Sequence, residues 1–292
     1  MTDHEAEQRH LASLAASSPL YELEFPLELL EKLPPLNCVG DYDSAVIQSV
    51  ADPRMLERVP WAVKYVAGLD ISFGKNKENQ ACAAICIFRL DDKTPIEMVF
   101  HAEELVILTE DYQPGYLAFR EVPSYLALLH AVKVAHPEWY PDLILCDGNG
   151  LLHPRQCGIA THLGVLTNIP TIGCAKTFMN IEGLNVNSQT FRHDIRQNPA
   201  ATWGSYYPLV LQGAACDNQQ DNAHSHPMPL LGAILWNSAG SIRNPLIVSC
   251  GCFTTFSDAL RAVLLTSYHH VPEPIRQADL LSRAWLRERG ML

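Results

Sequence analysis

The chain has 292 residues, of which 48% are hydrophobic and 18% charged, a composition typical of a globular protein rather than a disordered one. Its formal net charge is −11, and residues 1–60 alone carry 11 acidic against 4 basic side chains. This charge excludes a generally basic surface that attracts polyanions, so a nucleic-acid ligand must be held by local features. No apolar stretch reaches the length of a membrane span, and the charged N-terminus lacks the apolar core of a secretory signal.

The predicted elements begin with a mobile N-terminus over residues 1–20, followed by a mixed segment with short helices as far as about residue 60. Three strands are then predicted at 63–73, 81–90 and 96–108. Short polar turns separate these strands, which indicates an antiparallel meander.

The next part of the chain alternates helices and strands. A helix follows Pro123, the short apolar run 143–146 is typical of a strand buried on both faces, and helix 158–165 leads to strand 171–174. This order predicts a mixed sheet with helices packed on it. Later strands are predicted at 208–211, 231–236 and 246–250, and closing helices at 255–268 and 274–289.

Residues 213–229 are polar and show no periodicity, so they are predicted to form a flexible loop within a single domain spanning 21–292. Nine cysteines are scattered through the chain, several of them in apolar runs. We interpret them as buried thiols in a reducing compartment, which predicts an intracellular protein of the cytoplasm or nucleus. Cys250 and Cys252 form a C-x-C pair, but no second pair supports a zinc site.

Several familiar signatures are incomplete. Gly68 and Gly74 do not have the spacing of a P-loop, and Gly148-Asn-Gly150 lacks the third glycine of a dinucleotide-binding turn. No G-x-S-x-G motif is present, and His101-Ala-Glu103 has no P-C-x-x-C partner for a deaminase zinc site.

Acidic residues in apolar surroundings are the strongest chemical signal. Asp70 lies inside an apolar strand, and Asp147 follows the apolar run 143–146 directly. A carboxylate in such a place is costly unless a partner or a metal ion neutralises it. Hard oxygen ligands on neighbouring strand ends suit Mg²⁺ or Mn²⁺ and phosphodiester hydrolysis. From spacing alone, each of these acids, as well as Glu121 and Asp279, also fits a cap, a turn residue or half of an ion pair.

Two segments place ligand-binding residue types beside these acids. Residues 112–121 join aromatic, Pro and Gly residues to Glu121, and residues 147–155 put two glycines directly after Asp147. Glycines let a bulky ligand approach the backbone, and an exposed Tyr112 ring can stack on bases or wedge between them.

Taken together, the segments resemble the endonuclease V family of inosine-directed nucleases. They occur in the order and approximate spacing of that family: VAGLDISF (66–73), YQPGYLAFRE (112–121), DGNGLLHPRQCGIATHLGV (147–165), PTIGCAK (170–176) and PEPIRQADLLSR (272–283). The resemblance implies an α/β, ribonuclease-H-like fold whose mixed sheet has helices on both faces. It also implies an endonuclease that depends on Mg²⁺, with Mn²⁺ as a possible substitute.

The resemblance also implies the roles of individual residues. The catalytic set is Asp70, Glu121, Asp147, Lys176 and Asp279, and the metal ligands are Asp70, Asp147 and Glu121. The residues that bind the nucleic acid are the wedge residue Tyr112 and Gly115, Leu117, Gly148, Gly150 and His153.

The implied reaction is hydrolysis of the second phosphodiester 3′ to inosine in single-stranded RNA or to deoxyinosine in DNA, leaving 3′-hydroxyl and 5′-phosphate ends. The choice between RNA and DNA stays open, although eukaryotic members tend to act on RNA. The expected protein is a monomer with no membrane partner. Two alternatives are a non-catalytic reader of inosine-containing RNA and a scaffold that acts through its acidic N-terminal segment. The presence of Asp70, Glu121 and Asp147 together argues against the reader, and the block of matching motifs argues against the scaffold.

Overall fold

The computed structural model describes residues 3–39, 59–75, 79–91, 96–212, 229–238 and 244–292. Nine strands within these residues form one mixed sheet, and helices cover both of its faces. The predicted mixed α/β architecture is therefore confirmed. The predicted flexible loop 213–229 lies outside the described residues except for Pro229, and no helix in the described part of the chain is both long and apolar enough to cross a membrane.

The helices are α1 (Asp3–Ser17), α2 (Leu27–Leu30), α3 (Leu117–Ala135), α4 (Ile159–Thr167), α5 (Phe256–Thr266) and α6 (Glu273–Glu288). Short helical turns also occur at Pro137–Trp139, Ser188–Thr190 and Phe191–Ile195. The strands are β1 (Tyr21–Glu24), β2 (Asn37–Cys38), β3 (Val59–Ala62), β4 (Tyr65–Phe73), β5 (Gln80–Arg89), β6 (Glu97–Ile107), β7 (Leu143–Cys146), β8 (Thr171–Ala175), β9 (Ser205–Val210), β10 (Leu230–Leu235) and β11 (Leu246–Cys252).

The large sheet has the strand order β2-β9-β10-β11-β8-β7-β4-β5-β6, while β1 and β3 pair in parallel as a separate ribbon. Strands β4, β5 and β6 form the predicted antiparallel meander. The short apolar strand β7 pairs in parallel with both β4 and β8, and its four residues are all buried, as the sequence predicts. The C-terminal ends of β4, β7 and β8 therefore meet at one edge of the sheet.

Each face of the sheet carries its own apolar core. Alternate residues of the central strands pack against α5 and α6 on one face, and the intervening residues pack against α3 and α4 on the other. Gly68 allows α6 to lie directly on β4, because a Cβ at this position would come within 2.1 Å of the Pro274 carbonyl carbon. This close approach positions the side chains of α6 over the end of β4.

The N-terminus differs from the prediction. Residues 3–17, expected to be mobile, form α1, which packs on α4 and buries Gln8, Leu11 and Ala15. The sequence signal was weak because this stripe contains only one large apolar side chain. Packing against α4 stabilises the helix where its own composition does not.

The third helix also begins earlier than predicted. Pro123 suggested a first turn, but α3 starts at Leu117 and holds Pro123 in its interior. Ala118, Val122 and Tyr125 are buried in the same core, so tertiary packing holds the turns on either side of the proline. Glu121, expected just before the helix, therefore lies inside it.

Candidate active site

Strand register brings Asp70 and Asp147 together. Strands β4 and β7 run in parallel with Leu69 opposite Cys146, so the next residue of each chain segment is an aspartate. Strand β8 lies on the other side of β7 and ends one residue before Lys176. Two carboxylates and one ammonium group, far apart in sequence, thus share one edge of the sheet.

The Asp70 carboxylate is almost entirely buried, with 8% of the residue exposed. Ser282 of α6 donates a hydrogen bond of 3.1 Å to its Oδ2 atom. Burial, followed by the negative charges of Asp147 and Asp279, raises the pKa of Asp70 to about 6. The environment therefore leaves negative charge at this position only partly compensated.

Lys176 supplies the nearest positive charge. Its Nζ atom donates to Asp147 Oδ2 at 2.6 Å. Burial lowers the pKa of Lys176, but the charge and hydrogen bond of Asp147 outweigh burial, and the net shift is upward. The ammonium group stays protonated and faces the carboxylate cluster.

An open cleft of about 710 Å³ lies over these residues. Asp70, Asp147, Lys176 and Asp279, four of the five predicted catalytic residues, line it. Asp279 comes from α6 and forms an ion pair with Arg283 at 2.6 Å. The structure therefore gathers these four residues, as the sequence predicted.

Glu121, the fifth predicted residue, does not line the cleft. It is 6% exposed and accepts a 3.1 Å hydrogen bond from the Tyr125 hydroxyl. Burial raises its pKa to about 8, with the charges of Asp70 and Asp147 contributing in the same direction. Helix α3 packs on the face of the sheet opposite to α6, so Glu121 approaches the strand ends from the other side.

A divalent cation fits the Asp70–Asp147 pair. The donors are hard carboxylate oxygens on adjacent strand ends, and both burial and the neighbouring carboxylates Asp147 and Asp279 disfavour the charge of Asp70, which a cation would offset. Within the described ranges, no three His, Cys, Asp or Glu side chains lie close enough together to hold a metal ion. The predicted ligand trio with Glu121 is therefore not assembled. A pair of carboxylates still suits Mg²⁺, which commonly keeps water and substrate phosphates as its other ligands.

A second, smaller cavity of about 120 Å³ lies beside the cleft. This is about four times the share of one water molecule in the liquid, so it suits a single base-sized group rather than a whole nucleotide. Five of the six predicted nucleic-acid-binding residues line it: Tyr112, Gly115, Leu117, Gly148 and His153.

The two predicted glycines of the Asp-Gly-Asn-Gly turn have different reasons to be glycine. Gly148 has φ of +152°, and a Cβ would lie 2.7 Å from Ile159 Cγ2. Gly150 packs against β11, where a Cβ would lie 2.0 Å from the Cys250 carbonyl oxygen. Gly150 is not part of the cavity lining, so its predicted contact with the base is replaced by close packing between chain segments.

His153 joins the cavity to the loop that carries Tyr112. The residue is 3% exposed, and its Nε2 atom lies 3.0 Å from the Gly115 carbonyl oxygen. Its Nδ1 atom accepts a hydrogen bond from the Arg155 backbone N–H at 3.2 Å. Burial lowers the pKa of His153 to about 4, so the ring is neutral and carries its proton on Nε2.

Comparison with known proteins identifies the family to which the chain belongs. A family model described as Endonuclease V matches residues 48–280. Human endonuclease V is 34% identical over 223 residues, which cover 76% of this chain and 72% of the human protein. The chain belongs to the endonuclease V family.

Solved structures of endonuclease V share the fold. The catalytic domain of the human enzyme gives a TM-score of 0.67 at 30% identity and covers 91% of this chain and 95% of that one. Ciona intestinalis endonuclease V was solved in complex with a 24mer DNA containing an inosine followed by a ribo-adenosine. This structure gives a TM-score of 0.69 at 24% identity and covers 97% of this chain and 95% of that one. The expected ribonuclease-H-like fold is confirmed, and membership of the endonuclease V family supports an endonuclease.

Some residues around the endonuclease V site were not predicted from the sequence. Lys75, Arg283 and Arg287 also line the cleft. The two arginines follow Asp279 at intervals of four residues on α6, which places all three on one helix face, and this spacing was a usable signal. Gln8 and Asn149 line the small cavity. Gln8 was missed because its segment was predicted to be mobile.

Proposed function

We propose that this chain is a Mg²⁺-dependent endonuclease that hydrolyses the second phosphodiester 3′ to inosine in single-stranded RNA or deoxyinosine in DNA. The products have 3′-hydroxyl and 5′-phosphate ends. The observation that carries the proposal is that the acidic cleft and the base-sized cavity are joined by one backbone step, since Asp147 lines the first and Gly148 the second. A base held in the cavity therefore keeps its own strand beside the carboxylates.

The lining of the cavity supports recognition of hypoxanthine. Asn149 is 9% exposed, and its Oδ1 atom has no hydrogen-bond partner among the described residues. Hypoxanthine carries a donor at N1 where adenine carries an acceptor. An unsatisfied acceptor in the cavity favours the inosine base, and one good contact of this kind provides about 1–3 kcal/mol of discrimination.

The cations of the cleft support binding of a nucleic-acid strand despite the net charge of −11. Lys75, Arg283 and Arg287 line the same cleft as the carboxylates, and both arginines are exposed. Backbone phosphates are held by such side chains whatever the base sequence. In this proposal the cations hold the strand and the small cavity selects the base.

Asp70 and Asp147 would hold the metal ion, and the Ser282 hydroxyl fixes the orientation of the Asp70 carboxylate. When bound, Mg²⁺ supplies polarisation of the scissile phosphate and a more acidic water. Lys176 offsets negative charge that develops on the phosphate. Asp279 lines the same cleft and, following the family resemblance, would complete the acidic set and orient the attacking water. Glu121 lies outside the cleft lining, so its part in this set would be to add negative charge near Asp70 and Asp147.

The proposal is tested with four labelled strands of one sequence that carry inosine, deoxyinosine, adenosine or deoxyadenosine at a single position. We expect cleavage in Mg²⁺ of one or both hypoxanthine strands, little cleavage of the adenine strands, and none in EDTA. The ratio between the first two strands assigns RNA or DNA as the better substrate. Selective binding without any cleavage would overturn the proposal and support a non-catalytic reader.

A further inference from the structure

Helix α1 lies outside the residues that the family model matches, yet it reaches the small cavity. Its buried stripe consists of Gln8, Leu11 and Ala15, which face α4. Close to its N-terminal end, the His4 ring stacks on the Phe119 ring of α3 with centroids 4.1 Å apart. The helix therefore contacts the elements on both sides of the cavity.

Gln8 is the unusual member of this stripe, because it is polar and only 1% exposed. A buried amide is costly unless it is hydrogen-bonded. Its Nε2 atom donates to the Gly115 carbonyl at 3.0 Å and to the Cys157 carbonyl at 3.2 Å. Its Oε1 atom accepts from Arg155 Nε at 2.5 Å. Both N–H donors of the amide are thus used within the protein.

The Gly115 carbonyl is where these contacts converge. Besides Gln8, it accepts from His153 Nε2 at 3.0 Å and from Arg155 Nη2 at 2.8 Å. Gly115 has φ of +81° and is a central residue of the turn directly after Tyr112, which a 2.9 Å hydrogen bond from the Tyr116 N–H to the Gln113 carbonyl closes. Three donors from two separate chain segments therefore fix the orientation of this turn relative to the cavity.

We propose that Gln8 is a positioning residue for substrate binding, and that α1 forms one wall of the base cavity. This inference rests on the proposed function, because it assigns Gln8 to the site that takes the inosine base. Gln8 acts by holding the Gly115 carbonyl, the Cys157 carbonyl and Arg155 in place. Without it, the turn that follows Tyr112 loses one of the three hydrogen bonds to its Gly115 carbonyl, and the cavity loses part of its wall.

The test compares two Gln8 variants with a control on the same helix. Gln8→Ala removes all three hydrogen bonds, whereas Gln8→Glu keeps an acceptor for Arg155 and turns oxygen atoms towards the two carbonyls. Leu11→Ala is the control, since Leu11 is buried at 5% exposure one turn away and is not part of the cavity lining. It reports the effect of weaker helix packing alone.

KM and kcat are measured on an inosine strand and on the matched adenosine strand. The melting temperature of each variant is measured as well. We expect both Gln8 variants to raise KM on the inosine strand about tenfold, with kcat within about twofold of wild type. Leu11→Ala should lower the melting temperature and leave KM unchanged at a temperature where all variants are folded.

Two results would overturn the role of Gln8: an unchanged KM in Gln8→Ala, or an equal rise in KM in Leu11→Ala. Either result, obtained with a wild-type enzyme that prefers inosine, leaves the proposed function intact. If wild type itself cleaves the inosine and adenosine strands equally, the proposed function and the role of Gln8 fail together.

Discussion

Asp147 and Gly148 are consecutive residues that line two different cavities, the acidic cleft and the base-sized cavity. Their Cα atoms are separated by only about 3.8 Å. Asp147 directly follows β7, which is buried on both faces of the sheet and pairs with a strand on either side. Under the proposed function, this buried strand end sets the offset between the bound base and the reacting phosphate.

Asp70→Asn should abolish cleavage and stabilise the protein. Asn is nearly isosteric and still accepts the Ser282 hydrogen bond, but it is a poorer metal ligand, so we expect kcat to fall about 10²-fold or more. The folded pKa of about 6 lies above the ordinary value of 3.8, so the ionised group opposes folding at pH 7. In metal-free buffer the variant should gain about 1–3 kcal/mol of unfolding free energy at pH 7.

The sign of this gain is checked by its pH dependence. It should shrink as pH falls below 6 and vanish below about pH 3, where Asp70 is protonated in both the folded and the unfolded state. Asp142→Ala is the control, because the Asp142 carboxylate accepts 2.9 Å hydrogen bonds from the backbone N–H groups of Lys64 and Tyr65. That variant should lower the melting temperature and leave kcat unchanged. If Asp70→Asn were active and less stable than wild type, both the catalytic and the stability prediction would be contradicted.

Arg287→Ala should weaken strand binding in a salt-dependent way. If Arg287 holds one backbone phosphate, the slope of log Kd against log salt should become shallower by about 0.7 for a single strand. Arg261→Ala is the matched control, since Arg261 is exposed on α5 and pairs with Asp258. Equal slopes in wild type and Arg287→Ala would show that Arg287 does not contact a backbone phosphate.

Tyr112→Ala should weaken binding of an inosine strand about 5- to 150-fold, which is the range expected for one lost base–aromatic stack. Tyr112 is 65% exposed, so the melting temperature of the Ala variant should equal that of wild type. Tyr112→Phe keeps the ring and should bind like wild type. Affinities are measured with Ca²⁺ in place of Mg²⁺ to prevent turnover. Wild-type affinity in the Ala variant would show that the ring is not a wedge.

The contribution of His162 to the stability of the fold should fall as the pH is lowered from 6.5 to 4. Burial lowers the pKa of His162 from 6.5 to about 4, so only the unfolded chain takes up a proton in this interval. The unfolding free energy then decreases by up to about 1.4 kcal/mol per pH unit for this group. His162→Gln should remove this contribution, so the unfolding free energy of the variant should rise relative to wild type as the pH falls from 6.5 to 4. The exposed His130→Gln is the control and should keep a constant difference from wild type. Denaturant melts at pH 7, 6, 5 and 4 provide the comparison.

Two carboxylates of the cleft are predictable from the sequence because the pattern that marks them lies within a few neighbouring residues. A charged residue within or directly after an apolar strand is visible without the fold, and Asp70 and Asp147 were found in this way. The register that makes them neighbours depends on parallel pairing between strands more than seventy residues apart. That pairing is a property of the assembled sheet and leaves no local signal.

The roles of individual residues around the small cavity are harder to predict, because each role depends on contacts that exist only in the folded structure. The sequence predicts that Gly150 faces the ligand, but its lack of a side chain allows the close approach of β11. Gln8 lies in a stripe with little apolar character, so its segment lacked a helical signal. The burial of that amide becomes meaningful only once Gly115, Arg155 and Cys157 surround it.

The most direct test of the link between base cavity and cleft is to map the cut while a single inosine is moved along an otherwise constant strand. With 5′-labelled strands in Mg²⁺, we expect the cut to move in step with the inosine and to stay at the second phosphodiester on its 3′ side. Cuts that remain at fixed sequence positions, or that spread over several bonds, would contradict recognition through the cavity beside Asp147.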